Sequence, residues 1–252
     1  MAIATEVLAA LLGVSPLLLG AAIAWRWRLS TRVVASVVAW GAGALLATLA
    51  YELVRHSNDV GGIWPVVGGF AAGTVLYVAA DAALLRAVKK NKPEHEPESR
   101  NPTAKRGGSS EGGVAHAVGA VLDNVPQALI IGITAGAGAF PTAAVVVIGL
   151  SNVTGGLSGT VPLKNTGRTA RAVFVMWAGI VLAAVIAAVV GAELMSGASG
   201  DVRGVTLALA AGALLGMVVN SMIPEAVATD HWATGLITSS GFLTAFAAFE
   251  LL

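Results

Sequence analysis

The sequence predicts an all-α integral membrane protein with eight transmembrane helices. Three observations support this fold class. Of the 252 residues, 56% are hydrophobic and only 12% are charged, whereas about 25% of a water-soluble domain is charged. Eight apolar segments reach the length of about 20 residues that a helix needs to cross a bilayer. The basic residues lie in alternate loops between these segments, as they do in multi-pass membrane proteins.

The apolar segments use most of the chain, which predicts one membrane domain without a separate soluble domain. Helices 1–3 fall in residues 1–85, and helices 4–8 fall in residues 114–252. The stretch between them, residues 86–113, contains three prolines and mixed charges and is therefore predicted to be a disordered linker. The eight predicted segments are residues 4–24, 33–54, 62–85, 114–137, 140–161, 170–194, 202–228 and 232–251.

Thirteen of the fifteen Lys and Arg residues follow the first, third and fifth segments, and only Arg55 and Arg203 lie elsewhere. Because basic loops stay in the cytoplasm, this distribution predicts a cytoplasmic linker and places both termini outside. Short loops favour the inner (plasma) membrane of a bacterial cell. The first segment is expected to remain as a helix, because a cleaved signal peptide carries basic residues before its apolar run and here only Glu6 precedes it.

The composition also excludes several functions. A net charge of +1 provides no basic surface for phosphates, which excludes a nucleic-acid binder. The absence of cysteine excludes a disulfide scaffold, a thiolate metal site and a cysteine nucleophile. We expect a protein that is not an enzyme and has no cofactor.

The fourth segment carries polar side chains in the middle of the membrane. His116, Asp123 and Gln127 are spaced so that they lie on one stripe of the helix, and Asn124 lies on its flank. Pro126 frees a backbone carbonyl one turn earlier. A carboxylate beside a free carbonyl is an environment suited to a hard cation or a proton.

The fifth segment repeats part of this pattern. Residues 151–157 (SNVTGGL) resemble residues 123–129 (DNVPQAL). Polar groups cost several kcal/mol in a bilayer unless they face a partner or a cavity, so two adjacent helices with such groups predict a shared polar site. Alternatively, Asn124 and Asn152 form hydrogen bonds between packed helices.

A second similarity relates segments two and seven, since residues 42–46 and 211–215 both read AGALL. The two helices run in opposite directions in the predicted topology, as an inverted repeat requires, and transporters often bind substrate at a repeat interface. A chance match of small residues is the alternative. Near the end of segment seven, Pro224 frees the carbonyl of Asn220. Glu225 follows as either a gate residue or an interfacial acid.

The segment Asp123-Asn124-Val125-Pro126-Gln127 resembles the metal-binding motif His-Asn-x-Pro-Glu-Gly of the ZIP (Zrt/Irt-like) divalent metal transporters. Asn124 and Pro126 match this motif, Asp123 stands at its histidine position and Gln127 at its glutamate position. Residues 222–225 (MIPE) are similar to an Ile-Pro-Glu segment of the family. Eight helices, outside termini and a long cytoplasmic loop after the third helix also agree with it.

The resemblance implies a ZIP-like bundle in which helices 1–3 and 6–8 form an inverted repeat around helices 4 and 5. It implies a transporter that moves zinc or a similar divalent cation by alternating access. In the family, helices 4 and 5 each supply an acidic residue that bridges two metal ions, but here Gln127 and Gly155 stand at these positions, which implies one weaker site. The implied metal ligands are Asp123, Asn124, Gln127, Ser151, Asn152 and His116, with Glu225 and Asn220 as gate or pathway residues.

Two other functions stay open. A relative that has lost its metal ligands would act as a membrane sensor or scaffold without transport. Residues 156–159 (GLSG) resemble the Gly-x-Ser-Gly segment of rhomboid proteases, so an intramembrane serine hydrolase with His116 as the base is the other alternative. The expected partners are the lipid bilayer and a divalent cation, with a homodimer left open and no nucleic acid.

Overall fold

The computed structural model of the protein describes residues 2–90, 112–136, 140–228 and 232–251. These residues form helices joined by short turns, and they contain no β-strand. Eight helical segments in this part of the chain are long and apolar enough to cross a membrane. The prediction of an all-α, multi-pass membrane protein with eight spanning helices is therefore confirmed.

We number the eight helices α1–α8 in chain order. α1 is interrupted at Ser15 and consists of Ala2–Val14 and Pro16–Arg26. α2 covers Thr31–Gly61 and α7 covers Gly200–Val227. The other helices are α3 at Ile63–Lys90, α4 at Gly112–Gly136, α5 at Thr142–Asn165, α6 at Ala170–Ser196 and α8 at Thr234–Leu251.

Several helix ends extend beyond the predicted segments. α3 continues to Lys90 and α4 begins at Gly112, so both ends of the predicted linker are helical, while residues 91–111 lie outside the described part of the chain. α2 runs beyond its predicted end at residue 54 to Gly61. This polar end is stabilised by α7, because the Ser57 hydroxyl donates a buried 2.7 Å hydrogen bond to the Gly204 carbonyl. Hydropathy does not register such a bond.

The two ends of the bundle differ in charge. We call the end with the α1–α2 and α5–α6 loops the basic end, since the sequence clusters basic residues there. Side chains cap two of the helices that begin at this end: the Ser30 hydroxyl accepts from the Val33 N–H, and the Thr169 hydroxyl accepts from the Ala172 N–H. At the opposite end Gly62 closes α2 with a φ of 78°, a conformation that favours glycine.

Glycines bring helices α3 and α7 into backbone contact. A Cβ atom at Gly73 of α3 would collide with the carbonyl of Leu209, and one at Gly212 of α7 would collide with the carbonyl of Phe70. Such contacts let membrane helices approach closely and gain van der Waals packing.

Helices α2 and α8 pack through the same arrangement. A Cβ at Gly241 of α8 would collide with the carbonyl of Trp40, and one at Gly43 of α2 would collide with the carbonyl of Thr238. Gly43 and Gly212 hold the same place in the two AGALL segments. The two segments thus make equivalent contacts with different neighbours.

α2 and α7 also share a local irregularity. Each turns π-helical shortly after its AGALL segment, at Thr48–Val54 in α2 and Val218–Met222 in α7. In α7 the N–H of Ile223 reaches the carbonyl of Val218, five residues back. The wider π-helical turn changes the direction of the side chains that follow it, and such turns are frequent at functional sites.

α5 lies at the centre of the bundle. In its most apolar window 72% of the residues are buried, against 22% for α3 and 11% for α8. α3 and α8 therefore lie at the periphery. The polar side chains in the middle of α5, from Ser151 to Thr160, are buried within the protein.

Candidate functional site

An internal cavity of about 80 Å³ lies between helices α1, α2, α4, α5, α6 and α7. Five of the six metal ligands expected from the sequence line it, together with the acid expected near the end of α7. The lining residues described here include two carboxylates and no lysine or arginine. The expected residues that the cavity brings together are Asp123, Asn124, Gln127, Ser151, Asn152 and Glu225.

Two amide side chains of α4 present oxygen atoms without hydrogen-bond partners. The Asn124 Nδ2 donates to the carbonyl of Ala120 at 2.8 Å, and the Gln127 Nε2 donates to the carbonyl of Asp123 at 3.1 Å. Asn124 Oδ1 and Gln127 Oε1 are buried and accept no hydrogen bond from the described residues. Because a buried polar atom without a partner costs about 1–3 kcal/mol, a ligand or water that reached these oxygens would stabilise the site.

Asp123 is held by a tyrosine from another helix. The Tyr77 hydroxyl of α3 donates to Asp123 Oδ1 at 2.6 Å and lies 3.3 Å from the Ser221 hydroxyl of α7. Tyr77 is 2% exposed. The sequence reasoning missed Tyr77 and Ser221. The available signal was a tyrosine in the middle of a transmembrane segment, since tyrosines in membrane proteins concentrate near the interfaces.

On α5, the side chain of Asn152 forms a hydrogen bond to the backbone of α1. Its Nδ2 donates to the carbonyl of Gly13 at 2.8 Å, next to the interruption of α1 before Pro16. The asparagine thus donates to a backbone carbonyl of α1 beside this interruption. The expectation that this asparagine bonds between helices is met, whereas Asn124 bonds within its own helix.

Of the two expected pathway residues on α7, the structure brings only one to the cavity. Glu225 is 8% exposed and lines the cavity, directly after the π-helical turn and Pro224. Asn220 is half-buried and does not belong to the lining. Glu225 is thus a buried acid of the cavity lining.

Histidine ligands are not among the described side chains of the cavity. His116 belongs to α4, but its side chain lies outside the described residues, as do all of His95 and His231. The described residues contain no group of three or more His, Cys, Asp or Glu side chains suited to a metal ion. An ion held by the described side chains of this cavity would be bound mainly by amide, hydroxyl and carboxylate oxygens.

The cavity extends from the middle of the bundle towards the basic end. Ser158 and Glu225 lie in the halves of α5 and α7 that reach this end, and both line the cavity. The half of the bundle nearer the opposite end is filled by an apolar core that includes Ile131 and Ile148, both 0% exposed. The described polar groups of the cavity therefore lie in the middle of the bundle and towards its basic end.

The Ser158 hydroxyl bonds within its own helix. It donates to the carbonyl of Gly155 at 3.4 Å. His56, the one histidine whose side chain is described, lines a separate polar pocket with Glu52 and Glu250 at the opposite end. Serine catalysis requires a base within hydrogen-bond reach, and the described residues provide none at Ser158.

Comparison of the sequence with models of protein families and with curated proteins gave no match.

Proposed function

We propose that this protein is a ZIP-like transporter that moves a divalent cation through the cavity by alternating access. The observation that carries the proposal is the pair of buried amide oxygens, Asn124 Oδ1 and Gln127 Oε1, which lack partners beside the carboxylate of Asp123. A cation would satisfy these acceptors, and it would be attracted by the nearby carboxylate.

The helix contacts support an inverted repeat of α1–α3 and α6–α8. In such a repeat α2 corresponds to α7, and α3 corresponds to α8. The glycine contacts between α3 and α7 then correspond one by one to those between α8 and α2. The π-helical turns of α2 and α7 would then be equivalent. Gly132 of α4 contacts Ala188, and Gly156 of α5 contacts Leu17. The repeat would therefore pair Gly132 with Gly156. This pairing is shifted by about one helical turn from the pairing of Asn124 with Asn152 that the sequence suggests.

Such a repeat supports alternating access because the two halves could exchange their arrangements around a central site. The apolar core at Ile131 and Ile148 would close one side in the present state, and the basic end would form the open, cytoplasmic side. The proposed location is the inner membrane with both termini outside, which follows from the basic loops.

The test is uptake of Mn²⁺ into vesicles that contain the purified protein and a fluorescent chelator. We expect Asp123→Ala to reduce initial uptake at least about tenfold, the equivalent of 1.4 kcal/mol. Asp123→Asn, which keeps an acceptor for Tyr77, should also lose uptake because the charge is gone. The matched control is Asp201→Ala, an exposed aspartate in the first turn of α7.

Unchanged uptake in both Asp123 variants would reject the proposal. Saturable binding without any uptake by the wild-type protein would favour the sensor or scaffold instead.

A further inference from the structure

The atoms of the cavity that could bind a cation include two side-chain amide oxygens, and the backbone determines which way these amides are oriented. A main-chain carbonyl can only accept a hydrogen bond, so the carbonyls of Ala120 and Asp123 hold the NH₂ groups of Asn124 and Gln127. The amide oxygens are therefore the atoms left for a ligand. Both side chains are more than nine-tenths buried, at 5% and 4% exposure.

The other described groups around these amides have the same character. Asp123 and Glu225 contribute carboxylates, and Ser151 contributes a hydroxyl. The sulfur of Met217 also lines the cavity, but it lies 3.7 Å from Gln127 Nε2, as an acceptor of that amide. No described side chain offers an imidazole or a thiolate to the cavity.

Divalent cations differ in their affinity for a site built from oxygen ligands. Zn²⁺ prefers nitrogen and sulfur ligands in tetrahedral sites, whereas Mg²⁺, Ca²⁺ and Mn²⁺ suit carboxylate, carbonyl and water ligands. Mg²⁺ keeps several waters when it binds. A cavity of about 80 Å³ leaves room for water beside an ion.

We infer that the cation bound here is a hard, oxygen-seeking divalent ion of the Mg²⁺, Ca²⁺ and Mn²⁺ class, in a site without strong preference for Zn²⁺. This inference rests on the proposed function and specifies its substrate. Zn²⁺ exceeds Mn²⁺ in affinity for almost any ligand set, so a modest advantage of Zn²⁺ is expected even here. A large one requires a nitrogen or sulfur ligand.

The test uses the purified full-length protein in detergent and the electron paramagnetic resonance signal of free Mn²⁺, which is lost on binding. Mg²⁺, Ca²⁺ and Zn²⁺ then compete for the bound Mn²⁺. We expect Mg²⁺ or Ca²⁺ to displace Mn²⁺ at concentrations within about a hundredfold of Zn²⁺. A Zn²⁺ advantage beyond a hundredfold overturns the inference but leaves cation transport standing.

Failure of Mn²⁺ to bind at all is a different result. It would mean that the cavity holds water alone, and the proposed function would fail together with the inference.

Variants of Gln127 make the test sharper. Gln127→His would supply an imidazole, so we expect Zn²⁺ to gain at least about tenfold over Mg²⁺. Gln127→Glu keeps an oxygen and should leave the order of the ions unchanged. If Gln127→His does not fold, the Gln127→Glu variant still tests the inference. A gain of Zn²⁺ over Mg²⁺ in Gln127→Glu would contradict it, because that variant adds no nitrogen or sulfur ligand.

One further variant serves as the control. Asp201→Ala, an exposed position in the first turn of α7 and outside the cavity lining, should bind Mn²⁺ as the wild type does.

Discussion

The hydroxyl of Tyr77 donates a 2.6 Å hydrogen bond to Oδ1 of Asp123. This bond joins α3 at the periphery of the bundle to the carboxylate at its centre. A hydrogen bond to a carboxylate is shorter and stronger than one between neutral groups. The tyrosine thereby fixes the orientation of the acid that the proposed site depends on.

Tyr77→Phe removes this donor and keeps the ring. We expect the free energy of unfolding to fall by about 2 kcal/mol, the range of hydrogen bonds to charged groups, and the melting temperature in detergent to fall with it. The control is Tyr51→Phe, because the other tyrosine of the chain is 39% exposed and packs its ring against Phe242 and Phe246. Equal melting temperatures for the two variants would contradict a structural role of the bond.

Gly155→Asp should increase the affinity for divalent cations. Gly155 lines the cavity, and a Cβ added there meets no atom within 4 Å. An additional carboxylate attracts the ion, and we expect at least tenfold tighter Mn²⁺ binding, or about 1.4 kcal/mol. Binding that is unchanged in a folded variant would mean that the side chain does not reach the ion.

The neighbouring glycine is the matched control for this change. A Cβ at Gly156 would collide with the carbonyl of Leu17, so Gly156→Asp should separate α1 from α5 and reduce the yield of folded protein. Size-exclusion chromatography compares the two variants directly.

Access to the cavity can be measured with single cysteines, because the chain contains none. Ser158→Cys should react with a small, charged thiol reagent applied from the basic end, since Ser158 lines the cavity. Ile131→Cys and Ile148→Cys should react slowly from both sides, because both positions are fully buried in the apolar core. Rates are followed by mass spectrometry. Faster labelling of Ile131→Cys than of Ser158→Cys would reverse the assignment of the open side.

Lys164 stabilises the end of α1 near the basic loops. Its Nζ donates to the carbonyls of Ala24 and Trp25 at 3.1 and 2.7 Å, which have no further turn of helix to bond to. We expect Lys164→Met to lower the free energy of unfolding by about 2 kcal/mol, measured by thermal unfolding. The control Arg171→Met removes an exposed basic residue and should have little effect. Similar losses in both variants would indicate a general effect of charge.

Much of the fold could be predicted because a bilayer tests each segment of sequence separately. Length and hydropathy are local properties, and all eight spanning helices were recognised from them. The polar residues of α4 and α5 were also recognised individually, since each is costly in lipid unless it faces protein. That Asp123, Asn124, Gln127, Ser151 and Asn152 meet in one cavity follows from the adjacency of the two helices.

Other features depend on contacts between distant parts of the chain. Ser57 extends α2 because a carbonyl of α7 lies beside it, and Asn152 bonds to Gly13, which is far away in sequence. The π-helical turn that precedes Glu225 has no signal in hydropathy. Asn220 was expected beside Glu225 on the pathway, but it lies outside the cavity lining.

The sequence by itself determined the number of spanning helices, the basic end and the polar positions on α4 and α5, because each is a property of a short segment in lipid. Only the tertiary structure decided which atoms face the cavity. Backbone carbonyls hold the NH₂ groups of Asn124 and Gln127, so their oxygens remain for a ligand, and Tyr77 reaches Asp123 from another helix. Hydrogen-bond direction depends on neighbours in space, and those are set when the helices pack together.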